Sequence, residues 1–183
     1  MSLQLFKSNK FLKGVAASWS FNSAESSFFL AMQKQVGYSE ESHTGTFKDG
    51  ARIVVKFSIW EIGALMNCLK NSDKDYSFFH KTPTTNVAIK FSPYLVKDTN
   101  EHKGYSVAVN KLGADNKAEN TWFLTLSFPE KETLLTWLDF GLRHCYSATY
   151  AADKKAYKDK QEKAQSAPKT AKSADSNESE EIE

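Results

Sequence analysis

Cations and flat rings recur along this chain at the spacing that puts them on one side of an extended strand. Lys13, Trp19 and Phe21 share a face by alternation in the run 11–21, and Lys34 closes the next apolar run. Arg52 and Lys56 alternate with Ile53, Val55 and Phe57. Lys90 goes with Tyr94, Tyr105 with Lys111, and Trp122 stands in a further run. Lysine and arginine neutralise phosphates, and rings stack on unpaired bases for about 1–3 kcal/mol each. These residue types, carried on neighbouring strands, point to a single-stranded nucleic acid. Alternation does not say which face of a strand is outward. The lysines decide it, because a lysine seldom faces a helix-covered core.

Catalytic patterns are missing. The sequence has no Gly-rich phosphate loop, no Gly-x-Ser-x-Gly and no Cys-x-x-Cys. His43, His80, His102 and His144 are scattered, and none lies one helical turn from another. No metal set, cofactor or enzyme is read from them. Glu61 and Glu130 are accounted for by helix capping, and His80, following Phe78-Phe79, reads as a capping or core histidine. Cys68 and Cys145 both fall in predicted helices and read as reduced, buried residues.

The elements that must position these side chains are organised around a unit that occurs twice. Val55 to Leu65 runs from strand-like alternation into Ser58-x-x-Glu61 and then helical apolar spacing. Leu124 to Leu134 repeats this with Ser127-x-x-Glu130, 69 residues later. Ser-x-x-Glu is the capping box: the serine accepts from the third helical amide and the glutamate reaches back to the serine amide. Pro129 fits the first turn, where amides have no helical partner. Alternation predicts strands over 11–21, 26–36, 44–48, 51–57, 76–80, 86–96, 104–111 and 121–126. Helical spacing predicts helices over about 59–71 and onward from 128. The order ββββα-ββββα implies an α+β fold with antiparallel sheets, each covered on one face by helix and free on the other. In the run 11–21 the face opposite Trp19 is small (Gly14, Ala16, Ser18, Ser20), which permits close approach of another element.

The chain has 183 residues, enough for one domain over 1–150 with an extension and tail over 151–183. It holds 13 Phe, 7 Tyr and 4 Trp, sufficient for a core with rings left over for a binding face. No apolar run reaches the roughly 20 residues needed to span a membrane, and no secretory signal is read at the N-terminus. The net charge of +2 is uneven: +3 over 1–152, +4 over the lysine-rich 153–172, and −5 over 173–183. That last charge comes from Asp175, Glu178, Glu180, Glu181 and Glu183. A tail of this kind lies on its own cationic surface or is displaced from it by a polyanion.

At these residues the chain resembles the Whirly single-stranded DNA-binding proteins. Lys13-Gly14-Val15-Ala16-Ala17 is similar to the family's Lys-Gly-Lys-Ala-Ala on its first strand. Phe57-Ser58-Ile59-Trp60-Glu61-Ile62-Gly63 resembles its Phe-Ser-x-x-Glu-Ile-Gly, and Phe78-Phe79-His80 its Phe-Phe-His. Tyr105 to Lys111 is similar to its Phe-x-Leu-x-Val strand, and Glu132 to Tyr146 to its second helix. The resemblance spans roughly residues 11 to 148. It implies two antiparallel four-stranded sheets packed like propeller blades against helices, and a homotetramer held by a helical core. It implies single-stranded DNA along the sheet edges, bound largely without sequence preference. Lys13, Gly14 and Ala16 carry over as first-strand residues near the DNA or assembly surface. Phe57, Glu61, Gly63, Phe79 and His80 carry over as structural positions.

Two departures shape the expectation. Val15 stands where the family motif has its second lysine, which puts lysine-dependent higher assembly in doubt. The acidic tail resembles those of bacterial and phage single-strand-binding proteins, which recruit replication enzymes, although this one ends Ile182-Glu183 rather than in an apolar residue. The expected protein protects single-stranded DNA in replication, recombination and repair in the cytoplasm of a bacterium or a virus-infected cell, with an organelle interior as the other compartment. The alternatives are an RNA-binding or annealing protein on the same fold, and a structural protein-interaction domain whose aromatics are core and oligomer interface.

Overall fold

A computed structural model describes residues 1–48, 50–71, 75–83, 85–96 and 101–166. It divides into two compact units, Met1–Thr149 and Tyr150–Glu183. The acidic residues Asp175 to Glu183 lie outside the described residues.

The first unit holds two four-stranded antiparallel sheets. The first is ordered β1 (Ser2–Lys7), β2 (Val15–Asn22), β3 (Ser27–Lys34), β6 (Arg52–Ser58). A small hairpin, β4 (Gly37–Ser39) with β5 (Thr44–Thr46), is inserted between β3 and β6. The second sheet is the meander β7 (Tyr76–Lys81), β8 (Asn86–Leu95), β9 (His102–Leu112), β10 (Ala118–Leu126). A helix follows each sheet: α1 (Ile59–Lys70) and α2 (Phe128–Ser166). The doubled ββββα plan therefore holds, with one correction. The expected strand at 44–48 is only the short β5 of the hairpin, and the fourth strand of the first sheet is β1. Ser2–Lys7 alternates Leu3 and Leu5 inward against Ser2, Gln4 and Phe6 outward, but two inward leucines in six residues make a faint signal. Lys13 to Ala17, matched to a family first strand, is the entry to β2.

The inner faces of the two sheets form one core. Trp19 of β2 lies 5.8 Å from Phe57 and 6.4 Å from Phe91, ring centre to ring centre, and Phe57 meets Phe78 edge-on at 5.5 Å. Trp122 donates its indole N–H to the Ala51 carbonyl at 2.9 Å, joining β10 to the entry of β6. α1 buries Ile62, Leu65, Cys68 and Leu69. The Tyr105 hydroxyl donates to the Asn71 carbonyl at 3.0 Å, fastening the end of α1 to β9. α2 buries Leu134, Leu135, Trp137, Leu138 and Cys145, with Trp137 against Phe21 and Phe28. Both cysteines are buried and form no disulfide, and burial pushes both thiols up, helped at Cys68 by the charge of Asp75.

Two helical glycines differ sharply in their surroundings. A β-carbon on Gly141 would lie 2.6 Å from Cε1 of Phe28, a ring buried beneath Trp137. A β-carbon on Gly63 would meet nothing within 4 Å. Gly141→Val should therefore cost about 1–3 kcal/mol by overpacking. Gly63→Ala should gain about 0.5–1 kcal/mol by restricting the unfolded chain and favouring helix. Urea midpoints moving in the same direction for both variants would contradict this packing.

In the second unit the described residues, Tyr150 to Ser166, continue α2 as helix. Every side chain from 150 to 162 is exposed. Among the described residues no helix is long and apolar enough to cross a membrane.

Candidate nucleic-acid interface

The register fixes which side chains share the outer faces. On the first sheet the outward rows are Ser2–Ser20–Phe29–Lys56, Gln4–Ser18–Ala31–Val54 and Phe6–Ala16–Gln33–Arg52. Small residues occupy the middle, rings stand at Phe6 and Phe29, and cations line the β6 edge. Phe6 is 62 % exposed, and the Lys56 ammonium sits 5.8 Å from the Phe29 ring centre while reaching Glu25 at 3.3 Å. On the second sheet the rows are Ser77–Lys90–Ala108–Phe123 and Phe79–Ala88–Asn110–Thr121. Tyr94 lies two alternations beyond Lys90 on the same face, and Lys90 is paired to Asp75 at 2.7 Å.

This sorts the residues singled out by sequence. Arg52, Lys56, Lys90 and Tyr94 stand outward and exposed. Lys13 is exposed on the β1–β2 loop and shares a pocket of about 240 Å³ with Leu12, Gly14, Lys34, Thr121 and Phe123. Lys34 is half-buried, with its ammonium on the Asn120 amide oxygen and 5.2 Å from the Trp122 ring centre. Lys111 is also half-buried and meets Glu119 at 3.5 Å. Trp19, Tyr105 and Trp122 are core residues, closed to any base. Phe21 faces α2, among Trp137, Phe140 and His144. The shared face of Trp19 and Phe21, and that of Tyr105 and Lys111, is thus the inner one. A lysine at a strand end escapes to the rim while the rings behind it are buried.

The outward rings have a signal of their own in the sequence. Phe28-Phe29, Phe78-Phe79 and Trp122-Phe123 are doublets inside strands, and alternation must send one ring to each face. In each pair the first is buried and the second is not: Phe79 is 56 % and Phe123 is 48 % exposed. Phe79, carried over as a structural position, is therefore a surface ring, and Gly63 has no close neighbour to demand a glycine. The β1–β2 loop adds Phe11 and Leu12, both exposed. The Asn9 side chain accepts the Phe11 and Lys13 amides and holds Leu12 at φ +55°.

Two contacts to capping carboxylates cross between the halves. His80 of β7 meets the capping carboxylate of Glu61 at 2.6 Å. Lys7 of β1 meets the capping carboxylate of Glu130 at 2.5 Å. Each helix-start glutamate is thus gripped from the first strand of the opposite sheet. At α1 the box is complete: Ser58 accepts the Glu61 amide, and Glu61 accepts the Ser58 amide at 2.8 Å. At α2, Glu130 accepts the Ser127 amide at 2.8 Å and its hydroxyl at 2.7 Å. Glu61 also walls a cleft of about 630 Å³ between β6 and β7, lined by Val54, Lys56, His80, Lys81 and Thr82.

Burial raises both carboxyls, but it is outweighed. The Ser58 amide and His80 bring Glu61 below its ordinary 4.5. Lys7 and the Ser127 amide do the same for Glu130. A group depressed by folding stabilises above its unfolded value, and that stability is lost as pH falls through the folded one. Wild type should lose stability progressively below about pH 4.5. E61Q/E130Q should be weaker at neutral pH with a flatter acid limb. An acid limb unchanged in slope would count against these pairs.

No family model matches the sequence, and no curated protein matches it. Solved structures do. Trypanosoma bruciei MRP1/MRP2 aligns with a TM-score of 0.55 at 12 % identity, covering 80 % of this chain and 94 % of that one. Arabidopsis thaliana WHY3 aligns at 0.59 and 13 % identity, covering 84 % and 92 %. The plant transcriptional regulator PBF-2 aligns at 0.58 and 13 % identity, covering 84 % and 94 %. The chain has the Whirly fold. The crossed contacts at the two helix starts and the core shared by the inner sheet faces are how this sequence builds that fold. At identities this low the likeness speaks for architecture, and residue roles are argued from the surfaces themselves.

Proposed function

We propose that this Whirly-fold chain binds single-stranded DNA on the outer faces of its sheets, largely without sequence preference. The carrying observation is the pairing of outward rings with cations across a floor of small residues. Phe6, Phe29, Phe79 and Phe123 offer stacking platforms, and Arg52, Lys56 and Lys90 offer phosphate contacts. Ala16, Ser18, Ala31, Ala88 and Ala108 let a strand lie close. A base in a duplex has no free face, so this chemistry discriminates against double strands. Homotetramer formation through α2 fits the same reading. In the first unit Phe140 and Tyr146 are exposed on α2. Trp137 buries an indole N–H with no partner among the described residues, beside an apolar pocket of about 610 Å³ lined by Met1, Leu3 and Phe140. Protection of single strands in replication and repair, with the acidic tail recruiting replication proteins, is the role this binding would serve.

Anisotropy titrations of labelled oligo-dT, dT duplexed with dA, and oligo-U across a salt series test the reading. Oligo-dT should bind tightly, the duplex weakly, and affinity should fall with salt. Removal of 173–183 deletes five negative charges and should tighten binding, most at low salt. Equal affinity for duplex and single strand would overturn it, and a preference for oligo-U would move the ligand to RNA.

A further inference from the structure

We infer that the extension helix is a second single-strand contact, separate from the sheets and built from tyrosine and lysine. The inference rests on the reading of this chain as a single-strand binder and adds an element that the sheets do not contain. In the second unit Tyr150, Lys154, Tyr157 and Lys158 stand at i, i+4, i+7 and i+8, the spacing of one helix face. Tyr150 is 70 % and Tyr157 66 % exposed, so both rings are open to a ligand. Lys158 is held loosely by Glu162 at 3.8 Å, one turn on. The rest of the circumference carries Ala151, Ala152, Asp153, Lys155, Ala156, Asp159 and Lys160. Both rings therefore share one stripe with Lys154 and Lys158, while Lys155 and Lys160 stand on other faces.

Three occupants would cover such a face, and the residues select one. A coiled-coil copy would place Tyr150 and Tyr157 at a positions, which puts Asp153 and Lys160 at the d positions of the seam. A membrane surface needs large apolar side chains, and the stretch 150–162 contains no Leu, Ile, Val, Met, Phe or Trp. A single-stranded nucleic acid needs rings for its bases and cations for its phosphates, which is what alternates along this face. Every base presents a π-face, so the contact is tolerant of sequence.

The test uses the full chain and two variants that keep helix propensity, Y150A/Y157A and K154Q/K158Q, with circular dichroism to confirm the helix. Labelled oligo-dT is titrated across a salt series. Y150A/Y157A should weaken binding about tenfold or more at unchanged salt slope. K154Q/K158Q should reduce the slope of log affinity against log salt by about 1.4, the equivalent of two single-strand phosphates. If the full chain binds oligo-dT and both variants match it, the extension is not a contact and the sheet reading stands. If the full chain does not bind, both readings fall. Loss of a larger species in sedimentation of the variants would assign the face to a second copy, and loss of pelleting with phosphatidylserine vesicles would assign it to a membrane. Either result overturns the inference.

Discussion

Trp19→Ala should lower the unfolding free energy by about 3–5 kcal/mol, the cost of emptying a large buried ring site. Trp19 is 1 % exposed and lies between Phe57 and Phe91, so the cavity would open where the two sheets meet. Few domains have more than about 5–15 kcal/mol to lose, so the variant should melt early and express poorly. Urea unfolding with matched wild type is the measurement. An unchanged midpoint with lost oligonucleotide binding would show that the ring reaches solvent, and the core described for these sheets would be wrong. Any loss of binding by this variant otherwise reports unfolding.

The opposite pattern is expected on the outer face. Phe6→Ala with Phe29→Ala removes two rings from the first sheet without emptying the core. At about 1–3 kcal/mol per stacked base, oligo-dT affinity should fall by at least tenfold. Phe6, with Phe47 as its ring neighbour at 5.9 Å, should contribute little to stability. Arg52→Gln with Lys56→Gln should act differently, lowering the salt slope by about 0.7 for each phosphate left without its cation. Unchanged affinity in the phenylalanine pair, with unchanged melting, would remove the first sheet from the interface and leave Phe79 and Phe123 on the second.

The contrast between these variants marks where reading the sequence stops. The repeated Ser-x-x-Glu placed both helix starts, because a capping box is local chemistry that needs no tertiary context. The doubled sheet order followed from strand alternation for the same reason. Facing did not follow. Lys13, Trp19 and Phe21 share a parity, but a lysine at a strand end leaves the sheet, so its charge says nothing about the ring six residues on. The doublets at 28–29, 78–79 and 122–123 held the missing information, since parity alone sends one ring out. β1 was missed because an edge strand with two inward leucines is half-buried and faint. The crossed pairs Lys7–Glu130 and His80–Glu61 were beyond reach, since nothing local records a partner 123 or even 19 residues away.

That separation governs the order in which the chain can become itself. Lys7 precedes Glu130 by 123 residues, with the whole second sheet between them. α1 in turn takes His80 from a strand that follows it in the chain. Each helix start closes its own capping bond, but its glutamate is also gripped from the other half, and Trp19 and Phe91 share one core, so the halves are not independent folding units. A long loop must close before Lys7 meets Glu130, which slows assembly and makes it cooperative. A chain cut between α1 and β7 should yield fragments that recover structure only when they meet.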